Sequence, residues 1–233
     1  MGQKQTNSNG GDDRNVDLIE FSVVLVATSN NPSILNPDFL YYNGIVDANR
    51  QVQEPCISTH AYSQVTFKGG LAVKADPDRV IFEQRGDKLA MEDIICPEMA
   101  KRYLEKVPHV PYRAVGINLK VYRPSEGEAA DRAAEALIDK GAWMSFKDLT
   151  PEIQLKAIYQ YTGRTILLDI AEAKKKGADG NQIPGMLFQA NFHRDITETT
   201  PRERIVRLLS IIDSWRQDLS DFQLLVKKFY ERQ

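Results

Sequence analysis

The sequence predicts an α+β fold: two β-α-β-β-β-α units forming a curved antiparallel sheet covered by helices. Three observations carry this. Period-two alternation recurs between glycine turns, apolar stripes at helical spacing close each half, and the same element order starts again near residue 111.

In the first unit, residues 17–28 place Phe21, Val23 and Leu25 against Ser22, Val24 and Val26. β-branched content on both faces suits a central strand covered on both sides for part of its length. Asn36 can cap a short helix with Pro37 at its first position, ending near Gly44. Strands are expected at 58–68, 71–75 and 79–85, joined by Gly69-Gly70, which accepts the positive φ of a tight primed turn, and by Asp76-Pro77-Asp78. Cys96-Pro97 opens a helix with the stripe Met99, Ala100, Tyr103, Leu104 and Val107, and Pro108 and Pro111 stop it.

In the second unit, Val115, Ile117, Leu119 and Val121 alternate with Gly116, Asn118, Lys120 and Tyr122. Ser125 and Glu128 form a capping box for a helix that packs through Ala129, Ala130, Ala133, Ala134, Leu137 and Ile138 and leaves at Lys140-Gly141. Ile153, Leu155, Ala157 and Tyr159 mark the next strand, and Thr162-Gly163 turns into a strand at 164–170. Lys174, Lys175 and Lys176 read as a solvated loop. A third strand, 186–194, sets Met186, Phe188, Ala190 and Phe192 against Leu187, Gln189, Asn191 and His193.

The closing helix carries the clearest periodicity in the chain: Ile205, Leu208, Ile212, Trp215, Leu219, Phe222, Val226 and Phe229. Thr200, Pro201 and Glu203 supply its start. Ser220 and Gln223 can make a second capping box, which predicts a break near 218–220; unbroken, residues 201–231 would extend roughly 45 Å. Val206, Leu209, Ile211, Leu224 and Leu225 broaden the stripe, so its first part suits a sheet and its second part a partner.

This order of elements resembles the TATA-binding-protein-like topology, whose repeated halves each combine a sheet with helices. The likeness rests on element order and carries no family motif, and a duplicated ferredoxin-like packing is the alternative. A net charge of -2 argues against carrying DNA binding over with the fold. The expected organisation is a flexible tail at 1–16, a first unit at 17–110 and a second at 111–233 with the long helix, both units in one compact domain.

The composition, 42% hydrophobic and 27% charged, is that of a globular protein. Residues 1–15 are polar and lack the hydrophobic core of a signal peptide. Gly2 and Thr6 match a short myristoylation pattern. No apolar run is long enough to span a bilayer, so a soluble, cytoplasmic protein is expected.

Chemistry is weakly marked. His60, His109 and His193 are far apart, Cys56 and Cys96 form no CxxC pair, and neither HExxH nor a serine nucleophile elbow occurs, so no metal or cofactor is expected. The cysteines read as free thiols, with a disulfide geometrically open. Lys68-Gly69-Gly70 and residues 176–180 read as turns, because neither matches a P-loop. The richest polar cluster is His193, Arg194, Asp195 and Glu198, with Thr197 beside them; an acid-base pair would need His193 to meet Asp195 or Glu198. Asp169 interrupts an apolar strand and either faces solvent or pairs with an arginine. Arg79, Arg85, Lys101 and Arg102 would make a basic patch if folding gathered them.

The expected function is a non-enzymatic protein-interaction or assembly module that contacts a protein partner or a second copy. Trp215, Leu219, Phe222, Val226 and Phe229 are its candidate contact residues. Tyr62, Phe67, Phe82, Tyr122 and Tyr159 are candidate aromatic anchors, and Arg204, Arg207 and Arg216 candidate flanking charges. A small-molecule enzyme with a polar site at 193–198 is the alternative. Nucleic-acid binding comes third and needs a continuous basic stripe.

Overall fold

Alternation in the central strand β1 (Asp17–Ala27) buries Phe21, Val23, Leu25 and Ala27 completely on one face, and that face collects every helix among the described residues. The computed structural model describes residues 17–124, 154–177 and 180–230. After β1 come α1 (Pro37–Tyr42), β2 (Val52–Ser58), β3 (Ser63–Phe67), β4 (Leu71–Asp76), β5 (Arg79–Arg85) and α2 (Cys96–Lys106). Then follow β6 (Tyr112–Pro124), β7 (Gln154–Tyr161), β8 (Arg164–Lys176), β9 (Gln182–Asp195), α3 (Pro201–Asp213) and α4 (Trp215–Tyr230). Short 3-10 turns occupy Pro32–Ile34 and Met91–Asp93.

The described strands form one nine-stranded sheet in the order β2-β3-β4-β5-β1-β6-β9-β8-β7, with every pairing antiparallel. Ring contacts show how the helices cover one face: Tyr41 on Phe67 at 6.1 Å, Tyr103 on Phe82 at 5.5 Å, Trp215 on Phe21 at 5.2 Å and Phe229 on Phe188 at 5.1 Å. Leu208, Ile211 and Ile212 of α3 join the same core. Each fully buried side chain of this size contributes about 1.5–3 kcal/mol of transfer free energy before ordering costs.

Local signals act where expected. Asn36 Oδ1 accepts from the Phe39 N–H at 2.8 Å, with Pro37 at the first helical position and Gly44 at φ 63° beyond the end. Gly70, at φ 82°, lies so close to the Arg85 carbonyl that a β-carbon would collide with it. Thr200 Oγ1 accepts from the Glu203 N–H at 3.3 Å and donates to the Glu203 carboxylate at 2.7 Å, a capping arrangement closed between side chains.

Three elements differ from the sequence reading. A separate strand, β2, precedes the expected one, and residues 59–62 form a turn in which the Thr59 N–H donates to the Tyr62 carbonyl at 3.0 Å. Pro55 and a register shift between Gln53 and Ile57 erase its alternation, as is common in a strand at a sheet margin. Lys174, Lys175 and Lys176 are no loop: they pair with Pro184, Ile183 and Gln182 in a long hairpin. The final helix breaks at Ser214, whose hydroxyl donates to the Ile211 carbonyl at 2.7 Å, and not near 218–220. There α4 is continuous, because Asp218 and Leu219 are held by the core. The helix expected at 125–141, the 1–16 tail and Ile153 lie outside the described residues.

No helix among the described residues is long and apolar enough to cross a membrane. Cys96 is buried and Cys56 half-buried, and neither is in a disulfide. Burial pushes the Cys96 thiol well above its ordinary pKa, with the Glu83 carboxylate adding to the shift. Because the thiolate is the reactive form, a colorimetric thiol reagent is expected to titrate Cys56 in the native protein and Cys96 only after denaturation. Equal labelling rates at both positions in the native state would contradict this packing.

Candidate functional site

Among the described residues the helices leave the opposite face of the sheet, the helix-free face, to a different set of residues, because successive side chains on a strand point to opposite sides. Register aligns Glu83, Ser22, Asn118, Asn191, Leu167 and Ile158 in one row across β5, β1, β6, β9, β8 and β7. Asn118 Nδ2 donates to Ser22 Oγ at 3.1 Å, and Asn191 Nδ2 donates to Asn118 Oδ1. Among the described residues, Asn191 Oδ1 is buried without a partner. The neighbouring row runs Ile81, Val24, Gly116, His193, Thr165 and Gln160, and a β-carbon on Gly116 would come within 3.1 Å of Asn191 Nδ2.

Charges on this face alternate in sign and satisfy one another. Lys74 pairs with Glu83 at 2.9 Å, Arg85 bridges Glu83 at 2.9 Å and Glu20 at 3.1 Å, and Lys120 meets Glu20 at 3.0 Å. The Glu83 and Glu20 side chains are only 10% and 18% exposed, so this ladder is better shielded than an ordinary surface pair. Farther along, Asp169 sits 3.4 Å from Lys156 with 49% of its side chain exposed. Asp169 is thus the solvated member of an alternating strand.

Strand alternation splits the polar cluster at the end of β9. His193 and Asp195 share the helix-free face, where His193 Nε2 lies 3.1 Å from Asp195 Oδ1. Arg194 points the other way into the core, so the four expected residues are not brought together. Its Nη1 and Nη2 donate to Asp218 Oδ2 and Oδ1 at 2.9 and 2.6 Å. Arg164 Nη1 reaches Asp218 at 3.2 Å and Asp221 at 2.9 Å, completing a hub between the sheet and α4. Glu198 lies before α3, accepting from the Thr197 N–H at 3.1 Å and facing Arg207 at 3.8 Å. What remains is a two-residue His193–Asp195 pair able to hold or pass a proton, with neither Arg194 nor Glu198 bonded to it.

The helical contact candidates are also turned inward. Trp215, Leu219, Phe222 and Val226 are buried, and Phe229 is half-buried against Phe188. Their seam covers the chain's own sheet, so using it for a partner would require pulling α4 off the core. Among the aromatic anchors, Phe67 and Phe82 are core residues, and Tyr122 is buried on the helix-free face. Tyr62 donates to Gln64 Oε1 at 2.6 Å, and Tyr159 is 36% exposed. Arg204 donates to the Thr199 carbonyl, and Arg216 lies over the Trp215 ring. The expected basic patch is not assembled. Arg79 and Arg85 stand on the helix-free face, paired with carboxylates, whereas Lys101 and Arg102 lie on α2, where Lys101 meets Asp213 at 2.9 Å.

Among the described residues, no group of three or more His, Cys, Asp or Glu side chains is arranged to hold a metal ion. Sequence reasoning missed Ser22, Asn118 and Asn191 as a connected row. The available signal was a small polar residue at an alternating position in each of three strands whose other face is largely apolar. No protein-family model and no curated protein matches this chain.

Proposed function

We propose that the protein is a non-enzymatic assembly module that pairs with a second copy of itself through the helix-free face of its sheet. The observation that carries the reading is the division of labour between the two faces. The helices spend their apolar seam on one side, while the other presents Ile158, Leu167, Val24 and Ile81 among charges that already have partners. Paired charges avoid the penalty of desolvating lone ions, and a ladder of alternating sign does not repel its own copy.

Two further features support this over the competitors. An enzyme site at 193–198 would draw on Arg194, which lies on the far side of the sheet from His193. A nucleic-acid surface would need a continuous basic stripe, and the described charges on this face alternate instead.

Sedimentation velocity across a broad concentration range tests the proposal, with Leu167→Lys and Ile158→Lys combined as the variant. The wild type is expected to dimerise and the variant to remain folded and monomeric, since Ile158 is 56% exposed and Leu167 half-buried. A wild type that stays monomeric at every concentration overturns self-association.

The same reading includes an internal duplication of TATA-binding-protein-like topology. Its support is the sheet order, in which β1 and β6 lie side by side, β5 and β9 flank them, and β4-β3 and β8-β7 follow outward. β2 has no described counterpart in the second half. Superposition of the two halves in an experimental structure, strand on strand in this order, is the check.

A further inference from the structure

We propose that the outer end of the β8–β9 hairpin, strands 174–176 and 182–184, is a strap fastened over the Tyr122 end of the helix-free face, and that its release enlarges the surface available to the second copy. The docking role rests on the self-association reading above; the strap itself does not.

The last pairing of β6 with β9 among the described residues is Pro124 with Gly185, and farther out Lys175 and Ile183 pair with each other. Gly86 and Leu89 donate to the Ile19 and Leu18 carbonyls, so Asp87 stands beside the start of β1, which in a flat sheet lies three strand spacings, roughly 14 Å, from β8. Yet Lys175 Nζ donates to the backbone carbonyl of Asp87, just past the end of β5, at 2.9 Å. Tyr122 gives a second measure. It pairs with Leu187, four residues and about 13 Å of straight strand from Ile183. Its hydroxyl nevertheless donates to the Ile183 carbonyl. β9 must therefore bend over the phenol ring.

Gly185 sits at that bend. A β-carbon there would lie 2.6 Å from Tyr122 Oη and collide with the Arg123 carbonyl, so only glycine lets the strands approach this closely. Lys175 Nζ is 5.9 Å from the Tyr122 ring centre, and Tyr122 is 3% exposed. Burial raises the pKa of the Tyr122 hydroxyl, while a hydrogen bond with the Lys175 backbone opposes the rise. The fastening is weak by design of its surroundings. The Asp87 side chain, 3.7 Å from Lys175 Nζ, is fully exposed, so the ion pair is screened by water and salt and the single bond to the Asp87 carbonyl carries the fastening.

Tetranitromethane labelling of tyrosines, mapped by mass spectrometry on the full chain beside hydrogen exchange of the Lys175, Gln182 and Ile183 amides, tests the strap. Lys175→Met removes the fastening and is expected to raise Tyr122 nitration and local exchange roughly fivefold. The amides of β1 and β5 should not respond. Gly185→Val, which cannot close, is expected to raise both by tenfold or more. Unchanged Tyr122 nitration in Lys175→Met, or a rise matched by equal acceleration throughout β1 and β5, overturns the strap. A strap that opens in Lys175→Met without strengthening dimerisation overturns its docking role. A monomeric wild type with a releasable strap defeats the self-association reading and leaves the strap standing.

Discussion

Leu219→Asp is expected to abolish folding, not to release a folded monomer. Leu219 is 3% exposed in the seam between α4 and the sheet. The substitution removes about 2–3 kcal/mol of apolar burial and places a new carboxylate where Asp218 already holds the nearby guanidinium groups of Arg194 and Arg164. An unpaired buried charge adds several kcal/mol more. The sum, upward of about 5 kcal/mol, matches the whole stability of many domains. Loss of far-ultraviolet circular dichroism and of the cooperative urea transition is the expected result. A variant that unfolds with the wild-type midpoint would show that the seam does not belong to the chain's own core.

Asp218→Ala should rank close behind. It leaves Arg194, 8% exposed, without the carboxylate that takes both of its terminal nitrogens. Breaking a buried pair from one side costs about 3–5 kcal/mol, because the surviving charge is stranded. Arg164 retains Asp221 at 2.9 Å and a partly exposed position, so most of the loss falls on Arg194. Urea unfolding measures it, and the double variant Arg194→Met with Asp218→Leu should recover a large part, since apolar replacements strand no charge. A loss below about 1 kcal/mol in Asp218→Ala would place the hub among ordinary surface pairs.

The two variants change adjacent residues for opposite reasons, which shows where sequence reading stops. Periodicity put Leu219 on an apolar seam and could not say that the seam lies against β6 and β9 of the same chain. It gave Asp218 no role, because a carboxylate beside an apolar stripe normally faces solvent. Only the approach of β8 and β9 supplies the two arginines that make its burial tolerable. At 193–195 the limit is different. Three consecutive polar residues look like one cluster, but the alternation of a strand sends Arg194 through the sheet and keeps His193 with Asp195.

By itself, the sequence determined the local elements whose causes are local. Gly69-Gly70 and Gly163 turn where they must, Asn36 and Thr200 cap their helices, and alternation marks the buried faces of β1, β6 and β9. Each depends on backbone geometry or on period, and both can be read within a dozen residues. Tertiary structure alone decided strand order, the margin strand β2, the Ser22–Asn118–Asn191 row, the charge ladder and the bend of β9 over Tyr122. Those features join residues as many as about 100 positions apart, and their energies arise from register and burial, which no local pattern encodes.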